Sequence, residues 1–151
     1  MENKIVHRLE GSEFWKSVIV VAGYEVFGTA MLVFAINATT NHPFGIALVL
    51  FEAILIGGPI CGAHYNPAVT FAVFIRDYPN MKKNLGWLCL YWAAQLTGCM
   101  LGVGFTIVGL GKGWSIEEFA VLKPAAGMSN ADIFFVEWLC TTLFIWIISL
   151  G

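Results

Sequence analysis

Long apolar runs, each bounded by charged or turn-forming residues, dominate the pattern of this chain. Three of them, at 17–38, 84–110 and 132–150, reach the roughly 20 residues that a helix needs to cross a bilayer core. A fourth run is near the lower limit of that length and ends in Gly-Gly-Pro, which breaks a helix. The pattern therefore predicts a polar segment at 1–16, spanning helices at 17–38, 43–59, 84–110 and 132–151, and a connecting loop at 111–131.

A shorter segment follows the second span. Residues 60–65 are apolar and uncharged, and Asn66 and Pro67 then open another apolar stretch. Asn is a favoured helix N-cap and Pro suits the first helical position, so we predict a helix over 67–76. Ten residues at about 1.5 Å each cover only about half of a 30 Å bilayer core. We therefore expect a re-entrant half-helix that lines water or protein.

The composition supports an all-α membrane protein. Hydrophobic residues make up 58% of the 151 residues and charged ones 12%, and the mean hydropathy is +0.76, whereas an ordinary soluble domain is about a quarter charged. A net charge of -2 provides no basic surface for nucleic acid. The four cysteines lie in or beside apolar stretches without the spacing of a zinc site or a disulfide framework. We predict no metal site and no cofactor.

Charges outside the spans predict the orientation. Six basic residues flank the start of the first span and the end of the half-helix, against two in the loop at 111–131. The positive-inside rule places the N-terminus and the C-terminus on the cytoplasmic side, or on the matrix side in a mitochondrion, and we expect no cleavable signal peptide. The six are Lys4, Arg8, Lys16, Arg76, Lys82 and Lys83, and the two are Lys112 and Lys123.

Two of the predicted spans resemble each other. Glu25 is followed by Thr29, and Glu137 by Thr141, and large apolar residues come next in both copies. With four spans the first and last helices run antiparallel, which is the pattern of an inverted repeat. The second copy stops after its first helix.

These residues resemble the aquaporin and glycerol-facilitator family, the major intrinsic proteins. The Asn-Pro-Ala signature of that family stands here as Gly-Ala-His-Tyr-Asn-Pro-Ala-Val-Thr at 62–70, after a Gly-rich break and before a half-helix. Residues 25–34, 91–98 and 137–144 resemble the first, third and fourth helices of the family. The resemblance implies a truncated aquaporin-like inverted-repeat fold that holds the N-terminal half and the fourth helix only.

The resemblance also implies a pore. A half-helix that points its N-terminus at mid-membrane disfavours cations there, and exposed loop carbonyls suit a neutral hydrogen-bonding solute. By resemblance, the Asn66 amide donates to passing water or glycerol, and Ile46 stands at the selectivity filter, where an aliphatic residue argues against selectivity for water. A helix capped by Asn66 in a packed fold without a solute path is the alternative. The implied pore-lining residues are Gly62, Ala63, His64, Tyr65, Asn66, Pro67, Ala68 and Ile46.

Acids within the spans need interior partners. An exposed charge there costs about 2.5 to 3.5 kcal/mol on insertion scales, so we expect Glu25 and Glu137 to face inward. The resemblance implies that both glutamates brace the re-entrant loops, with a proton relay as the alternative. Gln95 is predicted to be a further interior hydrogen-bonding residue, and Glu52 has no assigned role.

The sequence leaves two functions open. The first is a component of a passive channel for water or small neutral solutes that needs a complementary half or partner chains, because the second Asn-Pro-Ala half-helix of the family does not occur in these 151 residues. The alternative is a non-conducting structural subunit of a larger membrane complex. In either case the expected partners are the lipid bilayer and other membrane protein chains that cover the open inner face. We expect no enzyme, because neither a nucleophile-base pair nor a phosphate loop occurs.

Overall fold

The computed structural model describes residues 12–40, 42–113, 115–120 and 126–150. Lys4, Arg8 and Lys123, three of the eight basic residues on which the predicted orientation depends, lie outside these residues. The described elements are α1 (Ser12–Ala38), α2 (Pro43–Cys61), α3 (Pro67–Arg76), α4 (Met81–Leu110) and α5 (Asn130–Leu150), with single 3-10 turns at Tyr78–Asn80 and Ile116–Glu118. Four helices are long and apolar enough to cross a membrane, and α3 is shorter. The all-α fold class is confirmed.

The first helix begins earlier than the hydropathy pattern indicates. It starts at Ser12, within the segment expected to be polar and separate, because Glu13 and Lys16 pair across one turn at 2.6 Å. The ring of Phe14 also packs edge-on against Trp87 of α4, with 6.1 Å between the ring centroids. The ion pair and the aromatic contact thus stabilise the part of the helix that precedes its apolar run.

The second helix does not end at the Gly-Gly-Pro sequence. It continues through Pro59 to Cys61, and Gly62 ends it in the left-handed conformation at φ 83°. Proline removes one intrahelical hydrogen bond, but only two helical residues follow it, so little of the helix depends on that bond. The N–H of Gly62 donates to the Gly58 carbonyl at 3.1 Å and closes the last turn.

The two remaining spans also begin earlier than expected. Met81 opens α4 after the 3-10 turn, where the Asp77 carboxylate accepts bonds from Asn80 at 2.9 Å and Asn84 at 2.6 Å. Asn130 opens α5, which shortens the connecting loop. The Ala120 N–H of that loop donates to the Asn37 side chain at 2.9 Å and ties the loop to the end of α1.

Close packing of α1 against α4 forms the centre of the fold. A Cβ on Gly98 would lie 2.5 Å from the Val26 carbonyl oxygen, and one on Gly102 would lie 2.7 Å from that of Ala30. The two helices approach this closely only because both positions lack a side chain. The α2 helix also packs against α1, and α3 lies against α4.

Candidate functional site: the re-entrant loop

The segment that joins α2 to α3 has an unusual backbone. Gly62, Ala63 and Tyr65 all have positive φ angles, of 83°, 50° and 48°. A left-handed conformation suits glycine but costs a residue with a Cβ about 1 kcal/mol or more. Two such residues within three positions persist only where the surroundings hold the loop in place.

Glu25 of α1 supplies the main brace. It is completely buried, and one carboxylate oxygen accepts the His64 N–H at 2.9 Å while the other accepts the Tyr65 N–H at 2.8 Å. The Gln95 side chain of α4 donates to the second oxygen at 2.9 Å, and the Cys61 thiol donates to the first at 3.3 Å. Two spanning helices thus bind the loop through one carboxylate.

Further bonds connect the loop to α3 and α4. The Gln95 amide also donates to the Thr70 hydroxyl at 2.8 Å, and the His64 ring nitrogen Nδ1 lies 3.1 Å from the same hydroxyl. The Tyr91 hydroxyl donates to the Cys61 carbonyl, and its ring packs against the His64 ring at 4.7 Å between centroids. Sequence reasoning missed Thr70 and Tyr91, although each lies one turn along a helix from a residue it named.

The Tyr65 side chain fills a socket between two helices. Its ring is buried against Gly28 of α1 and Gly57 of α2, and a Cβ at either glycine would overlap it. Its hydroxyl donates to the Ala53 carbonyl at 2.9 Å. Sequence reasoning used only the Tyr65 carbonyl, and the sole signal for the socket is a glycine on each neighbouring helix.

Asn66 caps the half-helix. Its backbone is extended, and its Oδ1 accepts the Ala68 N–H at 2.8 Å, so α3 begins at Pro67 with this donor satisfied. Trp92 of α4 donates to the Pro67 carbonyl at 3.2 Å. The short helix is therefore fixed at its N-terminus by its own cap and by α4.

Polar atoms remain open on one side of the loop. In the described part of the chain, no donor reaches the carbonyl oxygens of residues 62–65. Gly62, Pro67 and Ala68 are exposed and His64 and Asn66 are partly exposed, whereas the predicted pore-lining residues Ala63 and Tyr65 are buried. The loop thus presents acceptors and the positive end of a helix at one surface.

Three other residues singled out in the sequence lie away from this cluster. Ile46 is half-buried on α2, about four turns before Cys61. Glu137 is exposed on α5, a helix with no buried residue that lies against α3. Glu52 is exposed on α2. Within the described ranges, no cluster of His, Cys, Asp or Glu could hold a metal ion.

Comparison with known proteins agrees with this architecture. The family model described as major intrinsic protein matches residues 9–150. The chain is 34% identical to Aquaporin TIP1-1 of Arabidopsis thaliana, in an alignment that covers 66% of the chain and 36% of that relative. It is 32% identical to Aquaporin TIP1-2 of Musa acuminata, in an alignment that covers 82% of the chain and 49% of that relative. It is 35% identical to the lens fiber major intrinsic protein of Lithobates pipiens over 59% of its own length and 35% of that relative.

The alignments therefore span about half the length of these relatives or less. No solved structure gives a significant match. A family match over most of the chain, together with four apolar helices and a shorter one, shows that this is an integral multi-pass membrane protein that belongs to the major intrinsic protein family, the family of the aquaporins.

Proposed function

We propose that this chain is a component of a passive channel for water or small neutral solutes, and that its re-entrant loop forms one half of the solute path. The observation that carries the proposal is the row of unpaired carbonyls at residues 62–65 beside the partly exposed Asn66, in a loop that Glu25 holds in a strained backbone conformation. Strain of this kind is typical of functional sites. Aquaporins are channels and not enzymes, which fits this proposal.

The electrostatics of the loop favour a neutral solute. The first N–H groups of α3 and its dipole place partial positive charge beside Asn66, which disfavours cations. The free carbonyls at 62–65 accept hydrogen bonds, and the Asn66 amide nitrogen can donate one because only its oxygen is used in the cap. A small molecule that both donates and accepts hydrogen bonds matches this pattern.

Further protein completes the path, either from the same polypeptide or from another chain. The Glu137 carboxylate lies exposed on a spanning helix, where contact with lipid would cost about 2.5 to 3.5 kcal/mol. The loop carbonyls would carry a similar penalty in hydrocarbon. Both costs disappear when protein or a water-filled path covers this face.

The basic residues support a topology with α1 starting on the cytoplasmic or matrix side. Lys16 lies in the first turns of α1, while Lys82 and Lys83 lie in the first turn of α4 and Arg76 ends α3. The loop that follows α4 carries Lys112. The excess of positive charge at the starts of α1 and α4 supports this orientation.

The test separates the two roles of the Asn66 side chain. Serine keeps an oxygen that can cap the Ala68 N–H but removes the amide donor, whereas alanine removes both. Each variant is reconstituted into vesicles together with the protein that co-purifies with the chain, and solute flux is followed by light scattering. Asn84→Ser is the matched control, because Asn84 bonds only to the surface turn at Asp77.

We expect Asn66→Ser to reduce flux about fivefold at unchanged thermal stability, which corresponds to the loss of about 1 kcal/mol at the barrier. Asn84→Ser should conduct like the parent. A conducting assembly that is insensitive to Asn66→Ser would refute the pore assignment. An assembly that conducts no faster than protein-free vesicles would support the non-conducting structural subunit instead.

A further inference from the structure

A groove separates the first turns of α1 and α4, away from the re-entrant loop. Its volume is about 220 Å³, and its walls are almost entirely apolar. Three residues of each helix line it: Phe14, Trp15, Val18, Gly86, Trp87 and Leu90.

The open space at this end has a structural reason. Gly98 and Gly102 bring α1 and α4 into backbone contact further along, whereas the missing side chain of Gly86 leaves open space, and a Cβ added there would meet nothing within 4 Å. Bulky rings from both helices stand at the entrance to that space, with Trp15 largely exposed. The groove is therefore a gap between aromatic side chains that the protein itself does not fill.

Among the described residues, one unpaired positive charge lies on the groove side of α4, whereas Lys16, next to Trp15 in α1, is paired with Glu13. Lys83 precedes Gly86 by three residues and Leu90 by seven, so it lies on the same face of α4, one turn nearer the helix start. It is exposed, and no acid pairs with it in the part of the chain that the structure describes. Lys82, its neighbour, lies about 100° around the helix from that face.

These features together fit one class of ligand. Helices that start at a membrane surface with Trp side chains in their first turns place those rings at the headgroup level. A lysine there extends its ammonium toward the phosphates while its stem follows the apolar wall. We propose that the groove binds an acyl chain of an anionic phospholipid, whose headgroup lies at Lys83.

A second groove on the same pair of helices provides an internal comparison. It has a volume of about 310 Å³ near the ends of α1 and α4 and is lined by Met31, Phe34, Phe105, Val108 and Gly109. Neither helix carries a basic residue in its last turn. The ammonium of Lys112, two residues beyond α4, donates to the Glu118 carbonyl. We therefore expect a lipid chain in this second groove to prefer an anionic headgroup less than one in the first groove does.

The experiment measures lipid binding to the full chain by native mass spectrometry in neutral detergent. The probes are phosphatidylglycerol and phosphatidylcholine with identical acyl chains. Gly86→Leu fills the groove without a backbone clash, and its matched control is Gly104→Leu, because a Cβ at that position of α4 also meets nothing within 4 Å. Lys83→Gln removes the charge, and Lys82→Gln is its control.

The parent protein should bind the first phosphatidylglycerol about fivefold more tightly than phosphatidylcholine, as one lysine near an anionic headgroup provides. Lys83→Gln should abolish this preference and retain binding of phosphatidylcholine. Gly86→Leu should weaken both lipids, while Gly104→Leu and Lys82→Gln match the parent. If Gly86→Leu does not fold, Val18→Phe fills the groove from the α1 side.

Three outcomes would overturn the proposal. Equal affinity of the parent for the two lipids would remove the role of Lys83, and equal effects of Lys82→Gln and Lys83→Gln would indicate diffuse surface charge without a site. Unchanged binding in both groove-filling variants would show that the lipid binds elsewhere. None of these results bears on whether the chain takes part in a channel, so the two proposals are tested separately.

Discussion

Glu25→Gln replaces one of the two bracing oxygens by an amide nitrogen of nearly the same size. In the parent protein, the Glu25 carboxylate accepts bonds from the His64 and Tyr65 N–H groups, from the Gln95 amide and from the Cys61 thiol. A glutamine keeps only one acceptor oxygen, so its NH₂ group must face one of the two backbone donors. In either orientation one N–H of the loop loses its acceptor.

The lost acceptor sets the free-energy cost of Glu25→Gln. A buried donor without a partner costs about 1–3 kcal/mol, and a bond to a neutral acceptor is about 1 kcal/mol weaker than one to a carboxylate. Gln95 can recover part of the loss by turning its amide, since its Oε1 has no hydrogen-bond partner among the described residues. We expect the loop to be destabilised by about 3 kcal/mol, which is roughly 150-fold in its opening equilibrium.

The Cys61 thiol provides the assay. It is 4% exposed at the start of the loop, whereas Cys89, Cys99 and Cys140 are exposed and can be replaced by serine. A maleimide then labels Cys61 only when the loop opens, and its rate follows the open population while reclosing is fast. Glu25→Gln should raise the labelling rate roughly 150-fold over the parent.

Glu52→Gln is the matched control. It removes the same charge from a spanning helix at an exposed position outside the loop cluster, so the labelling rate should not change. If Glu25→Gln labels at the same rate as Glu52→Gln, the carboxylate does not hold the loop in its strained backbone conformation.

Two further predictions concern the glycine contacts. Gly98→Ala should lower the unfolding free energy in detergent by about 1–3 kcal/mol, because its Cβ would lie 2.5 Å from a backbone oxygen of α1. Gly104→Ala on the same helix is the control and should be neutral or stabilising, so equal melting temperatures of the two variants would contradict this packing. Gly57→Ala should destabilise the protein by a similar amount, because its Cβ would overlap the Tyr65 hydroxyl, and adding Tyr65→Phe should restore part of that stability. Purely additive effects of the two substitutions in a double-mutant cycle would contradict the packing of Tyr65 against Gly57.

Local chemistry explains where the sequence reading succeeded. The apolar runs predict four spanning helices because each run is long enough to cross a bilayer on its own. An Asn followed by Pro specifies a helix start at Pro67, since the cap and the fixed proline φ act within three residues. Neither inference needs any knowledge of what the segment packs against.

The errors have an equally definite origin. The Gly-Gly-Pro sequence ends helices in general, yet α2 runs through Pro59 to Cys61, and Gly62 ends it. A related limit, though not an error, is that Glu137 matches Glu25 in its local pattern, yet in this chain Glu25 is completely buried and Glu137 is exposed. Burial depends on which helices surround a residue, and a short pattern does not contain that information.

The amino-acid sequence was sufficient for the membrane class, the number of apolar helices and the family resemblance, because these depend on composition, run length and a contiguous motif. Only the tertiary structure revealed how the loop is held. Glu25 and Gln95 are seventy positions apart and meet at a backbone conformation that Ala63 and Tyr65 would not adopt alone. Such a brace exists only after α1 and α4 have packed through Gly98 and Gly102, which makes it a property of the assembled helices and not of any one segment.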